Sequence, residues 1–364
     1  MNEIKKSLIR QFAEKAKPGS INLGLGQLEF PLPEEVKAAG IKAFQEGFTK
    51  YSPNAGFLEL RQAIAEDANV SRKTNYTSEN IVVNAGVEQA LFATLFCTIN
   101  SGDKVVIPEP AYPAYAAILA MLGAKVVNLP LTETFELDLQ KTEEATKGAK
   151  AIILNFPTNP TGQIMSKKHA EELTKIAEKN KCLIITDEIY FNLYYEEMSV
   201  SPATFSQNAI ILDGISKRAS ATGLRIGWTI APKELVPSLE AANQYMLTCA
   251  TSVSQKAALA AVTKNDFEAG FRKELKKQRD AMYDEFQKWG VGKGIKPKGA
   301  FYFFPDLSEL GSSLELAEKI IANGVTVIPG DAFGPSGKGH IRLSFAAPEK
   351  KIREAMKIIR EVIV

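Results

Sequence analysis

Short β-branched runs alternate with longer amphipathic stretches through the first two-thirds of this 364-residue chain. The runs are Ile81–Asn84, Lys104–Ile107, Lys125–Leu129, Ala151–Asn155, Cys182–Thr186, Ala209–Asp213 and Ile226–Ile230. Between them lie helical patterns such as Val87–Thr98, Ala114–Leu122 and Lys167–Lys179. Strands separated by helices build parallel sheets, because a parallel return needs a long crossover. AIILNF and CLIITDE read as near-continuous apolar runs, as strands covered on both faces do. The expectation is an α/β fold whose large domain, residues 48–265, holds a mostly parallel seven-stranded sheet.

The last third has a different rhythm. Ser252 to about Trp289 reads as one long helical stretch, followed by strands in GAFYFFPDL, VTVIPG and HIRLSFA. A final helix over Pro348–Ile363 repeats apolar residues at Ile352, Met356, Ile359 and Ile363. This predicts a smaller α+β domain built from residues 1–47 and 266–364. An N-terminal helix carrying Ile4, Leu8, Ile9 and Phe12 would pack there or against another subunit. The Pro/Gly clusters at 157–162 and 330–339 read as loops rather than tethers.

Charge and composition remove several alternatives. Lys and Arg number 44 against 42 Asp and Glu, a net charge of +2, which leaves no electrostatic footprint for nucleic acid or acidic lipid. Cys97, Cys182 and Cys249 are odd in number and lack CxxC spacing, so a disulfide framework is not expected. Two histidines, His169 and His340, supply neither a His-based metal site nor a Ser-His-Asp triad. The longest apolar runs reach about nine residues, half a membrane span, and the first residues lack the apolar core of a signal peptide. A reduced, cytoplasmic, globular protein is the expectation, with no metal, membrane or nucleic-acid partner.

In an open α/β sheet, ligands bind beyond the carboxyl ends of the strands. The segment after Ile81–Asn84 is Ala85-Gly86-Val87-Glu88, a glycine at the mouth of a helix whose free N–H groups suit a phosphate; ordinary turn chemistry is the alternative. After Lys104–Ile107, PEPAYPAY brings Tyr112 and Tyr115 to the sheet edge, as ligand contacts or as packing. After Ala151–Asn155, the proline-stiffened loop Pro157–Gly162 holds Asn159, or is simply an Asn-Pro turn. Asp187, Glu188 and Tyr190 follow Cys182–Thr186; an acid there needs a cation if buried, or else caps a helix. After Ala209–Asp213 come Gly214, Ser216 and Lys217, then Gly223-Leu224-Arg225. Lysines ordinarily sit in solvent, but one buried between apolar strands would have the depressed pKa that an imine-forming amine requires. An acid, an amide, two phenols, a lysine and an arginine at one sheet edge suit an aldehyde cofactor that carries a ring nitrogen, a phenolate and a phosphate.

With NPTG, DEIY and SK-x7-R-x-G-W in this order, the chain resembles the class I/II pyridoxal-phosphate-dependent aminotransferases of fold type I, the aspartate aminotransferase-like enzymes. The resemblance runs from INLGLGQLEF to HIRLSFA. It implies transfer of an amino group between an L-amino acid and a 2-oxo acid by a ping-pong mechanism. Lys217 would form the internal aldimine and shuttle the proton. Asp187 would pair with the ring nitrogen of pyridoxal 5′-phosphate, and Asn159 and Tyr190 with its ring oxygen. Tyr112 would stack on the ring. Arg225, Ser216 and the backbone of Gly86, Val87 and Glu88 would hold the phosphate, with Tyr51 reaching in from a neighbouring subunit of a homodimer. Arg342 would fork onto the substrate carboxylate beside Gly26 and Asn159.

The sequence departs from the pattern at three places. Gly214 stands where a phosphate-binding hydroxyl is usual. Glu88 occupies a position where some aspartate aminotransferases carry lysine, and Tyr245–Lys256 contains no arginine. The last two argue against a dedicated aspartate specificity. A carbon–sulfur β-lyase on the same scaffold is the alternative reading of the same lysine and acid. A non-enzymatic regulator would need an appended basic domain that the sequence does not show.

Overall fold

The structure, a computed structural model, describes residues 6–364. Its seven principal strands are β1 (Ile81–Asn84), β2 (Lys104–Glu109), β3 (Lys125–Pro130), β4 (Ala151–Asn155), β5 (Leu183–Asp187), β6 (Ile210–Gly214) and β7 (Gly227–Ile230). They form one sheet in the order β1-β7-β6-β5-β4-β2-β3. Only β7 runs against its neighbours, pairing Ile81 with Ile230 and Leu212 with Thr229. The fold class is as expected, an α/β protein on a mixed, mostly parallel sheet, and each strand lies within two residues of its sequence reading.

Side chains alternate across a strand, so each one feeds two cores. Val83, Ile152, Ile184, Ile211 and Trp228 face one way and bury against helices that include Leu58–Arg72 and Ser252–Thr263. Val82, Val105, Ile153, Ile185 and Leu212 face the other, against Val87–Thr98, Ala114–Met121 and Val236–Leu247. The same alternation continues past the last apolar residue of β5, and it decides where two consecutive acids point.

A third core gathers Phe12, Leu23 and Leu28 with Leu275, Met282, Phe286, Phe301 and Phe303. It includes the inner face of the final helix Glu349–Ile363, where Ile352, Met356 and Ile359 are buried. Three short antiparallel strands, Tyr302–Phe303, Ile341–Ser344 and Ile328–Pro329, line it. Ile21–Asn22 pairs parallel with Val325–Thr326, tying the first residues to the last third of the chain. Ile9 and Phe12 of the N-terminal helix Leu8–Glu14 belong to this core; Ile4 lies outside the described residues.

One expectation is corrected. The stretch read as a single helix from Ser252 to Trp289 is two helices, Ser252–Thr263 and Phe267–Gln287. Lys264 leaves helical geometry (φ −124°, ψ 78°), and the Glu268 N–H bonds back to the Asn265 carbonyl. Asn and Asp compete with the helical backbone for hydrogen bonds. The break also separates two destinations: Ala257, Ala258 and Ala261 pack on the sheet, whereas Leu275, Met282 and Phe286 pack in the third core. Among the described residues, no helix is long and apolar enough to cross a membrane, and no cluster of His, Cys, Asp and Glu could hold a metal ion.

Candidate active site

A cavity of about 320 Å³ opens at the carboxyl ends of the central strands. Gly26, Val87, Glu88, Tyr112, Asn159, Asp187, Tyr190, Ser216, Lys217, Arg225 and Arg342 all line it. Residues separated by more than 300 positions in sequence thus meet where the fold rule for open α/β sheets puts a ligand. Gly86 stands directly behind Arg225. Tyr51 lines no part of the cavity and is 84% exposed.

Asp187 ends β5 and is buried. Its Oδ2 accepts from Tyr115 Oη at 2.8 Å and its Oδ1 from the Ile189 N–H at 3.2 Å. Its direct partners are therefore a phenol and an amide, with no cation. Loss of hydration pushes this carboxyl up to about 7, because burial penalises the charged form more than two neutral donors repay it. Lys217 follows β6 on a one-turn helix, Ile215–Arg218, and its Nζ donates to the Gly26 carbonyl. Burial, aided by the positive charges of Arg225 and Arg342, lowers its pKa to about 8. Near neutrality this raises the neutral, nucleophilic fraction of the amine by a factor on the order of 300 over an ordinary lysine.

Arg342 projects from the strand Ile341–Ser344 and is fully enclosed. Nη1 donates to Asn159 Oδ1 at 2.9 Å and Nη2 to the Gly24 carbonyl at 2.6 Å, while Nε has no partner. No carboxylate neutralises it within contact. Aromatic faces compensate in part: the guanidinium lies 4.5 Å from the Tyr302 ring centre and 5.0 Å from that of Phe333. Burial holds its pKa below the usual arginine value.

At the mouth, Arg225 adopts a left-handed backbone (φ 51°) and packs its guanidinium against Gly86, where a Cβ would come within 2.5 Å of Nη2. Gly86 itself has φ 87°, so only glycine fits without strain. The Glu88 carboxyl accepts from Tyr112 Oη at 3.4 Å, and burial raises its pKa despite the nearby Arg225. Gly214 has a steric explanation. Its backbone is extended, but a Cβ there would lie 2.8 Å from the Gly227 Cα and from the Ile226 carbonyl. The antiparallel approach of β7 leaves no room for a side chain on β6 at that point.

One participant and one pairing escape the sequence reading. Tyr302 shares a hydrogen bond with Tyr190, Oη to Oη at 2.9 Å, and covers Arg342. It lies in the aromatic-rich GAFYFFPDL run, where its composition reads as core. Tyr115 sits at the sheet edge as its sequence position suggests, but its bond to Asp187 joins residues 72 positions apart.

Residues 18–359 match the family described as aminotransferase class I and II. A probable aspartate aminotransferase of Methanocaldococcus jannaschii is 37% identical over 99% of this chain and 97% of its own length. A probable N-acetyl-LL-diaminopimelate aminotransferase of Bacillus subtilis is 37% identical over 97% of this chain and 92% of its own. Among solved structures, the aspartate aminotransferase of Thermus thermophilus with maleate superposes with a TM-score of 0.94 at 30% identity, covering 99% of this chain and 97% of that one. The likeness is continuous in sequence and in fold, and the protein belongs to the class I and II aminotransferases, a pyridoxal-phosphate-dependent family.

Proposed function

We propose that this cavity exchanges amino groups between L-amino acids and 2-oxo acids in two half-reactions, with Lys217 as the reactive amine. The observation that carries the reading is Asp187: a buried carboxyl at a strand end, held by a phenol and an amide and lacking a cation. A protonated ring nitrogen is the partner such a group calls for. Arg342 presents the converse case, a buried guanidinium with an orphaned Nε and no anion. The residues present fit pyridoxal phosphate. When bound, that cofactor supplies an aldehyde and a ring that draws electron density from the substrate α-carbon.

In this arrangement Asp187 would hold the ring nitrogen, Asn159 and Tyr190 the ring oxygen, and Tyr112 the ring face. Arg225, Ser216 and the N–H groups of Gly86, Val87 and Glu88 would hold the phosphate at a helix N-terminus. Arg342 takes the substrate carboxylate through its planar fork, next to Gly26 and Asn159. Lys217 Nζ, lowered toward neutrality, accepts the α-proton and returns it on the same side of the site. The aromatic lid of Tyr302 and Tyr190 limits water around the Arg342 fork.

Substrate range and assembly belong to the same proposal. Glu88 puts a carboxylate in the cavity, and no arginine lies between Tyr245 and Lys256, so a site dedicated to acidic side chains is disfavoured. The exposure of Tyr51 suits a residue that completes a partner's site in a homodimer. Three free thiols suit a cytoplasmic setting. Division into units 48–265 and 1–47 with 266–364 is also part of the reading; Val36, packed in the sheet's core, argues for moving the first boundary toward residue 34.

Purified protein given pyridoxal phosphate should absorb in the visible, and Lys217→Ala should not. A mutant that keeps the same band removes Lys217 from this role. Single half-reactions with a panel of amino acids then identify the donor. Release of stoichiometric ammonia or sulfide in place of a 2-oxo acid would favour lyase chemistry.

A further inference from the structure

On the face of the sheet away from the cavity, charges are buried and paired. Arg72, the last residue of the helix Leu58–Arg72, is 2% exposed. Its Nε donates to Glu188 Oε2 at 2.6 Å and its Nη2 to Asp213 Oδ2 at 2.7 Å. The guanidinium lies 4.1 Å from the ring centre of Phe191. Glu188 Oε1 accepts from Ser201 Oγ at 2.5 Å and Thr186 Oγ1 at 3.2 Å, so both carboxylate oxygens are engaged. Five residues earlier on the same helix, Asp67 receives Arg218 through Nη1 at 2.8 Å and Nη2 at 2.6 Å.

The partners of that helix occupy telling positions. Glu188 is the residue after Asp187, and Arg218 is the residue after Lys217. Asp213 belongs to β6, which leads directly into the turn bearing Lys217. Adjacent α-carbons are about 3.8 Å apart, so an anchor on one residue fixes its neighbour closely. One side chain of each pair faces the cavity while the next is tied to the helix behind the sheet.

We propose that Arg72 is a positioning residue for the transamination site: by gripping Glu188 and Asp213 together, it fixes the separation of Asp187 from Lys217. The proposal rests on the roles given to those two residues above. A guanidinium is suited to this task because its donors diverge from a rigid plane and can hold two carboxylates at a set distance. Stability alone does not require such a device, since buried ionic triads are often replaced by apolar side chains without loss. Fixing a register between two elements is the better-attested use of a buried charge group.

The test compares cofactor-loaded Arg72→Lys with the parent protein by kcat and KM for an amino acid, by the pH midpoint of the visible absorption, and by Tm. Lysine keeps the charge but not the fork. Positioning predicts a kcat lowered about tenfold, a KM within twofold, and a midpoint displaced by about half a pH unit or more. A midpoint that does not move, with or without a fall in kcat or Tm, overturns the proposal and leaves Arg72 a staple. If Arg72→Lys does not fold, Glu188→Gln keeps the Asp213 arm and the side-chain shape, and the same criteria apply. Lys217→Ala, run alongside, separates the two readings: a band that survives in it refutes the assignment of the lysine, whatever the Arg72 variant does.

Discussion

Asp187 and Glu188 are consecutive acids, both buried, and they meet opposite fates. Asp187 faces the cavity with a phenol and an amide for company, and burial lifts its carboxyl to about 7. Glu188 faces the helix Leu58–Arg72, where Arg72, Ser201 and Thr186 satisfy it. Lys217 and Arg218 repeat the contrast one strand away. The lysine is held down to about 8 among positive charges, whereas Arg218 is raised by Asp67 and Glu268 after paying its desolvation. Groups facing the cavity have no opposite charge in contact, whereas those behind the sheet are paired, although burial still lifts Asp213 to about 6. A missing partner is what binding can supply, and the pairs behind the sheet hold the unpaired groups in place.

Neutralising the cavity side should break activity first. Asp187→Asn is expected to lower kcat by about a thousandfold or more, roughly 4 kcal/mol of transition-state stabilisation, measured with the cofactor at saturation. On the opposite face the damage should be to folding. Arg218→Met removes the bidentate cation from the half-buried Asp67 and leaves the buried Glu268, for a cation, only its 3.8 Å contact with Arg272, and should cost about 3 kcal/mol, read from chemical denaturation. Arg342→Lys retains charge without the fork and should reduce kcat/KM about a hundredfold, a drop that amino acids of every side chain should share.

A subtler contrast concerns pH. In the folded, cofactor-free protein Asp187 keeps its proton to about 7, whereas unfolded it would release it near 3.8. The folded state therefore binds more protons in that window, and stability should fall as pH rises from about 4 to 7. Lys217 acts in the other direction: folded, it sheds its proton near 8 rather than 10.5, so stability should rise as pH climbs between those values. Asp187→Asn should flatten the acid-side slope in the cofactor-free protein; an unchanged slope would assign it to other carboxyls. The smallest expected effect is at Glu88. Glu88→Gln should improve half-reactions with acidic amino acids by up to about tenfold relative to neutral ones.

The sheet was readable because its strands are buried on both faces, which makes Ile81–Asn84 and Ala151–Asn155 apolar blocks bounded by turn residues. Most of the cavity was readable too, since strand ends expose polar residues such as Asp187 and Lys217 against an apolar background. The helix break after Thr263 leaves only the polar triplet Lys264-Asn265-Asp266 as a sign, which also fits the solvent face of a continuing helix, while the change of core on either side has no local signature. Arg72 could not be found by local reasoning. A charged residue closing a helix reads as solvated, and its partners lie 116 and 141 positions away. Tyr302 was concealed by its neighbours, three phenylalanines that belong to the core.

The contact between β6 and β7 limits which side chains this end of the site can carry. Gly214 rests on Gly227, and a Cβ on Gly227 would in turn meet the Val87 nitrogen and the Gly86 carbonyl carbon at 2.6 and 2.7 Å. Three backbone segments are stacked with nothing between them. Introducing a hydroxyl at 214 would have to coincide with a retreat of β7, and that retreat would move the Gly86–Val87 turn. Under the proposed assignment, the anion at this end of the cavity is therefore left to main-chain groups, Ser216 and Arg225.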